Sequence, residues 1–287
     1  MASYIKATVR ADLFNSHIAL AKEPLKKFMV AFTGTDDWPI GSGTLVKLSG
    51  FEGILTAHHV ASKIFRLPSL GMCIVDKQHS LTGPTSGLEH IPVGASPSNA
   101  EPEAGPDLSF LIIRDSNLLR VLQEQKSFYR LEQPPSLHPV FGNDRMWAVT
   151  GTEGVSSERH EKDGVPLTTV QQFIGGGRFQ HEYRREGDFD YLRLQVPSGD
   201  FEFPDDYQGI SGGGFWLLPM EIDANEDPKT IRHREPVLAG VEFAQLPLKD
   251  RERILVGHGP DSIYRRVPQS IGRCIDLGFI AANVQTG

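Results

Sequence analysis

The hydrophobic pattern of the N-terminal third changes from helical to strand spacing near residue 28. Residues 11–28 place apolar side chains at helical intervals, which predicts a short helix or two before the main body. Pro24 is expected to end or kink this helix. From there on, short apolar runs alternate with Gly, Asp and Pro, as is typical of antiparallel β-structure. The predicted strands cover residues 28–32, 43–48, 53–56 and 72–75.

The middle of the chain predicts a loop and a connecting helix. Residues 82–106 are dense in Gly, Pro, Ser and Ala, which predicts a long surface loop. This loop leads into an apolar run at residues 108–113. Residues 117–129 contain strong helix formers and are followed by Pro134 and Pro135, so a helix is expected to connect two β-rich halves.

The second half of the chain again has the rhythm of short strands, and long helices are not expected there. The polar segment 219–235 is interrupted by proline and predicts a hairpin loop. The predicted strands cover residues 146–150, 168–174, 191–196, 214–218 and 237–243.

Composition and charge restrict the class of protein. Of the 287 residues, 39% are hydrophobic and 23% are charged, which argues against a disordered chain. The net charge of −7 comes without a concentrated basic region, so no nucleic-acid partner is expected.

The sequence also bears on location and on bound metals. Residues 1–30 contain no apolar stretch that would suit a secretory signal, and no window approaches the roughly 18 apolar residues of a membrane span. Only Cys73 and Cys274 are present, and no His or Cys pair has the spacing of a zinc site. We therefore expect a cytoplasmic protein with no membrane partner, no metal and no cofactor.

Three short patterns each place a reactive side chain beside an apolar strand, in the order His, Asp, Ser. The first is Gly-Ser-Gly-Thr-Leu-Val at residues 41–46, followed by Gly-Ile-Leu-Thr-Ala-His-His-Val at residues 53–60. A serine hydroxyl is a poor nucleophile unless an imidazole takes its proton, and a carboxylate must orient that imidazole. Taken alone, a histidine that ends an apolar strand is more often a structural residue.

The second pattern is Pro-Asp-Leu-Ser-Phe-Leu-Ile-Ile at residues 106–113, in which Asp107 opens an apolar strand. By itself such an aspartate is usually a turn or cap residue. Asp76 and Asp115 are weaker candidates for the same role, because Asp76 heads a polar loop and Asp115 follows the strand.

The third pattern is Gly-Ile-Ser-Gly-Gly-Gly at residues 209–214. Its glycines allow a sharp turn in which backbone amides converge, so the N–H groups of Gly209 and Ser211 could stabilise an oxyanion. Glycine-rich turns that contain serine are also common between strands, and this alternative needs no chemistry.

Together, the three patterns resemble the motifs of the trypsin-like serine peptidases, in particular their bacterial and cytosolic branch. The resemblance implies that His59 is the general base, that Asp107 orients it and that Ser211 is the nucleophile, with Gly209 and Ser211 forming the oxyanion hole. It also implies an all-β fold of two packed six-stranded antiparallel β-barrels, with a short N-terminal helical extension and an inter-barrel helix.

The resemblance divides the chain into four parts. These are an N-terminal extension (1–28), a first β-barrel with His59 and Asp107 (29–125), an inter-barrel linker (126–139), and a second β-barrel with Ser211 and a C-terminal tail (140–287).

Two further segments bear on substrate binding. Residues 236–243 resemble the strand that pairs with substrate in this family, so Phe243, Ala244 and Gln245 would form the edge that an extended peptide joins. Asp205 precedes Ser211 by six residues in a segment that resembles the family's D-x-x-Q-G-x-S. It could pair with a substrate Arg or Lys, or it could belong to an ordinary acidic turn.

Two departures from the family pattern affect how activity would be controlled. Ile210 precedes the nucleophile where secreted digestive relatives have an Asp that pairs with a newly cut N-terminus, so that route of activation is not expected. Gly214 stands where many relatives have Pro. We therefore consider a serine endopeptidase acting on protein or peptide substrates, the same enzyme dependent on an activating partner protein, and a catalytically silent trypsin-like module that binds a peptide or scaffolds a complex.

Overall fold

The helices and strands are defined in a computed structural model that describes residues 11–34, 38–75, 79–95, 105–131, 146–162, 165–198, 204, 206–221, 232–233 and 235–281. The α-helices in these ranges are α1 (Ala11–Lys26), α2 (His58–Ile64), α3 (Ser116–Gln125) and α4 (Val267–Asp276). The strands are β1 (Met29–Thr33), β2 (Pro39–Leu48), β3 (Phe51–Thr56), β4 (Ser69–Val75), β5 (His79–Pro84), β6 (Leu88–Ala95), β7 (Asp107–Ile113), β8 (Tyr129–Arg130), β9 (Met146–Lys162), β10 (Val165–Glu186), β11 (Phe189–Pro197), β12 (Gly214–Leu218), β13 (Met220–Glu221), β14 (Arg232–His233), β15 (Val237–Gln245) and β16 (Glu252–His258).

The first eight strands form one sheet, in the order β5-β4-β1-β2-β3-β7-β6. Neighbours along this path are antiparallel, and the two-residue β8 pairs in parallel with β2. Every residue of β1 is buried, as expected for a strand covered on both faces.

The second sheet is a closed barrel with the strand order β10-β11-β16-β15-β12-β9. Closure removes exposed strand edges over the paired part of the barrel. The short strands β13 and β14 pair with each other outside the barrel, in keeping with the hairpin expected at residues 219–235.

The largest apolar cluster joins the two sheets to α1 and α4. Leu25 of α1, Met29 of β1, Trp216 of β12 and Ile271 of α4 are all buried in it. The Trp216 indole also contacts the rings of Phe28 and Tyr129. Burial of each large apolar side chain contributes about 1.5–3 kcal/mol, so this cluster holds the two sheets in a fixed relation.

The predicted fold class is confirmed, including the helices before the first sheet and between the two sheets. The first sheet holds eight strands in its described part, against the six expected. The domain boundaries near residues 28, 125 and 139 stay a prediction. Among the described helices, none is both long and apolar enough to cross a bilayer.

The prediction of a surface loop at residues 82–106 is wrong for the first half of this segment, which contains the end of β5 and all of β6. Leu88 and Ile91 are buried, and β6 pairs with β7 over most of its length. Pro92 is tolerated because β6 is an edge strand and its register shifts at that point. Pairing and burial thus outweigh the local preference of Gly and Pro for turns.

Two features of the helices also differ from expectation. Helix α1 continues past Pro24 to Lys26. Helix α4 was not anticipated in the second half; it has proline in its first turn, and Val267 and Ile271 face the core. Proline is well tolerated at that position because the first N–H groups of a helix have no intrahelical acceptor.

Candidate active site

His59 lies in the first turn of α2, directly after the buried strand β3. Its backbone N–H donates to Asp107 Oδ1 at 2.8 Å, and its Nδ1 lies 2.7 Å from Asp107 Oδ2. A carboxylate only accepts hydrogen bonds, so Nδ1 carries the proton and Nε2 is left as an acceptor. The antiparallel pairing of β3 with β7 brings these residues together, because Asp107 opens β7 where β3 ends.

The Asp107 carboxylate is held ionised by its contacts. Burial opposes its ionisation, but the hydrogen bonds and charge of His59 outweigh that effect and lower its pKa below the ordinary value. Behind it, the backbone N–H of Asp107 donates to Nε2 of His258 at 2.9 Å. The His258 ring is fully buried, and burial lowers its pKa to about 3, so it remains a neutral acceptor at physiological pH.

Ser211 lies in the tight loop that precedes β12. Gly209 and Gly212 have φ values of 93° and 94°, a backbone region that favours glycine. A Cβ atom on Gly212 would lie 1.9 Å from the carbonyl oxygen of Ser42, so no larger residue fits without movement. The glycines of this motif are therefore required by the path of the backbone.

The nucleophile loop is held by the first sheet through Ser42 of β2. The Ser42 backbone N–H donates to the carbonyl oxygen of Ser211 at 2.8 Å, and its hydroxyl donates to the carbonyl oxygen of Gly209 at 2.7 Å. The same hydroxyl accepts from the Thr152 N–H at 2.8 Å. These bonds cross from one sheet to the other and orient the peptide groups around Ser211.

Two amide donors of the loop have no acceptor in the described part of the chain. The N–H groups of Gly209 and Ser211 make no hydrogen bond there, whereas those of Gly212 and Gly213 donate to Glu242 and Ile210. Free, neighbouring N–H groups beside a nucleophile can bind a developing oxyanion. These are the two donors that the glycine-rich motif predicts.

The Ser211 hydroxyl lies in the same cleft as His59 and Asp107. It donates weakly to the carbonyl oxygen of Phe243, with an Oγ to O distance of 3.4 Å, and the Glu242 side chain lines the same cleft. No hydrogen bond joins Ser211 to His59 among the described contacts of these two residues. The structure thus brings His59 and Asp107 into direct contact and places Ser211 beside them, with its hydroxyl engaged elsewhere.

The cleft has a volume of about 760 Å³, which is in the range of ligand-binding pockets. Phe243, Ala244 and Gln245 line it, as predicted for the strand after the nucleophile. Pairing of β12 with β15 stops at Val241, and a register shift between Glu242 and Ala244 interrupts pairing with β16. Such a bulge re-aims the strand, and here it directs the Phe243 carbonyl towards Ser211.

The Gln245 side chain ties this strand to the loop before the nucleophile. Its Oε1 accepts from the Tyr207 N–H at 3.1 Å, and its Nε2 donates to Asp206 Oδ1 at 2.5 Å. Two walls of the cleft are thereby linked. Asp205, the candidate specificity residue, lies outside the described residues.

The remaining candidates occupy separate positions. The His58 ring contacts the Ser109 hydroxyl, which it shares with His90, at 3.0 and 2.9 Å. Asp115 caps α3 by accepting from the N–H groups of Asn117 and Leu118, which explains its place after β7. Asp76 lies outside the described residues.

Three residues of the site were not found from the sequence, namely Ser42, Glu242 and His258. Glu242 offered a signal, since it is a lone carboxylate within the apolar run of β15. Ser42 lies within the first glycine motif, but its partners are more than a hundred residues away. His258 ends β16, a strand that was itself missed. Over the residues that the structure describes, His, Cys, Asp and Glu side chains form no cluster that could hold a metal ion.

Comparisons with known proteins leave the family open. No family model matches the sequence, and no curated protein matches it. Among solved structures, one match is a chain from work on the aromatic interactions that drive coupled folding and binding of the intrinsically disordered Sesbania mosaic virus VPg protein. It has a TM-score of 0.40 and 14% identity over 90% of this chain and 92% of that one. Another is the serine endoprotease from Yersinia pestis, with a TM-score of 0.40 and 14% identity over 92% of this chain and 66% of that one. Function therefore has to be inferred from the residues of the cleft.

Proposed function

We propose that this protein is a serine endopeptidase that uses Ser211 as nucleophile, His59 as general base and Asp107 as the residue that orients His59. The observation that carries the proposal is the paired contact of His59 with Asp107 in a cleft that also holds Ser211 and two N–H groups with no acceptor among the described residues.

In the first step, the Ser211 hydroxyl turns to His59 Nε2, gives up its proton to it and attacks the carbonyl carbon of a peptide bond. Asp107 stabilises the imidazolium that forms. The N–H groups of Gly209 and Ser211 stabilise the oxyanion of the tetrahedral intermediate, an interaction whose loss typically costs about a hundredfold or more in rate.

The intermediate then collapses as His59 returns the proton to the leaving amine, which breaks the peptide C–N bond and leaves an acyl group on Ser211. A water molecule, deprotonated by His59, hydrolyses this ester in the same way. The balance of the reaction is one peptide bond and one water consumed, with no cofactor in the scheme.

The substrate that suits this cleft is an extended peptide of a protein. The main chain of Phe243, Ala244 and Gln245 leaves the β12 ladder at the cleft, so a peptide can add there as a further strand. We also place the protein in the cytoplasm. Cys73 and Cys274 form no disulfide, in keeping with a reducing compartment.

Covalent labelling with a fluorophosphonate probe tests the nucleophile directly. We expect wild type to be labelled and Ser211→Ala to be unlabelled, with hydrolysis lower by roughly 10⁴-fold or more. His59→Ala should lose labelling equally, whereas the neighbouring His58→Ala should retain it, because His58 bonds to Ser109 and not to Asp107. Labelling that persists in Ser211→Ala would show that another residue reacts.

One observation favours a second function. Among its described contacts, the Ser211 hydroxyl bonds to the Phe243 carbonyl oxygen and not to His59, as would suit a peptide-binding module or an enzyme that needs a partner protein for activation. Titration with candidate protein partners during labelling distinguishes the peptide-binding module from the partner-activated enzyme. Labelling that begins only with a partner indicates gating, and peptide binding without any labelling indicates a silent module.

We further propose that Asp205 favours cleavage after Arg or Lys, since a charge-assisted pair is stronger than a neutral hydrogen bond. The measurement is a panel of peptides varied only at the residue before the cut, on wild type and Asp205→Ala. A preference for Arg and Lys that the mutation removes is the expected result. Cleavage after small or apolar residues, equal in both proteins, would assign Asp205 to an ordinary acidic turn.

A further inference from the structure

Glu242 is a buried carboxyl group at the centre of the cleft. It lies in β15, its side chain is 1% exposed, and it lines the same cleft as Ser211. Two backbone hydrogen bonds join it to the nucleophile loop. The Gly212 N–H donates to the Glu242 carbonyl oxygen, and the Glu242 N–H donates to the Gly213 carbonyl oxygen, both at 2.8 Å. The backbone that carries the Glu242 side chain is thus fixed relative to the loop that carries Ser211, and both side chains line one cleft.

The surroundings of Glu242 favour its neutral form. One carboxyl oxygen, Oε2, is buried and has no hydrogen-bond partner in the described part of the chain. An ionised carboxylate with an unsatisfied buried oxygen is costly. Burial therefore raises the pKa of Glu242 well above its ordinary value, and the charge of Asp107 adds to this, although the hydrogen bond with Ser211 opposes it.

The charged and titratable groups around Glu242 are few. Asp107 of β7 is ionised, and His258 of β16 is neutral because it is buried. His59 and Lys63 of α2 line the same cleft. Among the residues that the structure describes, no Lys, Arg or His forms an ion pair with Glu242, so none of them offsets the cost of ionising it.

We propose that Glu242 is a positioning residue for Ser211, whose protonated carboxyl group leaves the serine proton available to His59 and whose ionised form would hold that proton back. This inference rests on the proposed function. A neutral carboxyl group can donate to Ser211 Oγ, so the serine O–H remains free to turn towards His59 Nε2. An ionised carboxylate only accepts, so it would compete with His59 for the same hydroxyl proton. During the attack the proton of Ser211 passes to His59, and Glu242 keeps its own.

The pH profile of fluorophosphonate labelling and hydrolysis tests this role in three proteins. Wild type should lose activity on the alkaline side as Glu242 ionises. Glu242→Gln keeps a donor of the same shape that cannot ionise, so it should lose this alkaline fall and retain most of the activity at neutral pH. Glu242→Ala removes the donor, and its kcat should drop about tenfold or more with KM changed less than about threefold.

Two results would overturn the proposal. One is an alkaline fall that is the same in Glu242→Gln as in wild type, or absent from wild type. The other is a Glu242→Ala enzyme whose kcat equals that of wild type, or a Glu242→Gln enzyme whose kcat is no higher than that of Glu242→Ala.

Infrared spectroscopy separates this inference from the proposed function. At neutral pH, wild type should show the C=O stretch of a protonated carboxylic acid, which Glu242→Gln lacks and Ser211→Ala shifts. If the protein is never labelled but shows this band and its shift, the proposed endopeptidase function is contradicted, and the contact between Glu242 and Ser211 is supported. A labelled protein without the band contradicts the role of Glu242 and leaves the endopeptidase standing.

Discussion

The buried hydroxyl of Ser42 connects the two sheets at the point where the chemistry is proposed. It donates to the carbonyl oxygen of Gly209 and accepts from the N–H of Thr152, while the backbone of Ser42 bonds to Ser211. Thr44 and Thr56 extend this set, since each hydroxyl donates to a backbone carbonyl, those of Gly212 and Ser42. The loop is thereby oriented by a strand that lies far from it in sequence.

Ser42→Ala should lower both stability and activity. It leaves two buried backbone groups without a partner, which costs about 1–3 kcal/mol of unfolding free energy. Because the Gly209 peptide is then less well held, kcat/KM should fall about tenfold. Urea unfolding and peptide hydrolysis measure the two effects. The exposed Ser86→Ala is the control and should change stability by less than about 0.5 kcal/mol; equal effects of the two variants would contradict the assigned role.

Among the elements, the C-terminal helical segment depends on a carboxyl group from a distant strand. Asp190 of β11 is 1% exposed and accepts from the N–H groups of Asp261 and Ser262 at 3.0 and 2.6 Å. The Ser262 hydroxyl donates to the same carboxyl group. These N–H groups begin the helical turn, Ser262–Arg266, that leads into α4, and a helix start needs such acceptors.

Asp190→Ala should therefore lower the unfolding free energy by about 1–3 kcal/mol, because the N–H groups at the start of this turn lose a buried acceptor. Hydrogen exchange should speed up most in α4. The control is Asp188→Ala, two residues earlier, which removes an exposed partner of Arg266 and should cost no more than about 1 kcal/mol. Similar losses of unfolding free energy in both variants would show that the buried hydrogen bonds of Asp190 stabilise the protein no more than an exposed ion pair does.

Taken as a whole, the molecule holds an ionised aspartate in the cleft between its sheets and keeps two neutral histidines, His258 and His90, in buried or half-buried positions. Burial lowers the pKa of His258 to about 3 and that of the half-buried His90 to about 4. On unfolding, these rings regain their ordinary affinity for protons. Below about pH 6.5 the unfolded chain therefore binds protons that the folded chain does not, and stability falls as the pH drops towards these values. The lowered pKa of Asp107 acts in the same direction at still lower pH.

Replacing His258 by Gln should flatten this pH dependence. Gln can still accept from the Asp107 N–H but does not titrate, so up to about 2.5 kcal/mol of the stability lost between about pH 7 and about pH 4.5 should disappear. Urea midpoints at about pH 7 and about pH 4.5 give the difference for each protein. An unchanged slope in His258→Gln would show that this ring titrates normally in the folded state.

Local patterns carried much of the architecture. The strand rhythm predicted β1 to β4, β7 and most of the second sheet, because short apolar runs bounded by Gly, Asp and Pro are visible in consecutive residues. The order of His59, Asp107 and Ser211 beside apolar strands predicted which residues would meet in one cleft, and the glycines predicted a loop that only they can follow. The apolar strands and each of the three motifs are patterns within a few consecutive residues, so a local reading of the sequence finds them.

Other features depend on contacts between distant segments, which no local window contains. β6 forms although its residues favour turns, because β7 supplies its hydrogen bonds. Ser42 and His258 acquire their roles from Gly209 and Asp107, each more than a hundred residues away. In the sequence, Glu242 is an isolated charged residue in an apolar strand. Only the closed barrel buries it in the cleft that also holds Ser211. Burial and hydrogen bonding of a polar group are set by everything that surrounds it, and that is decided only when both sheets have assembled.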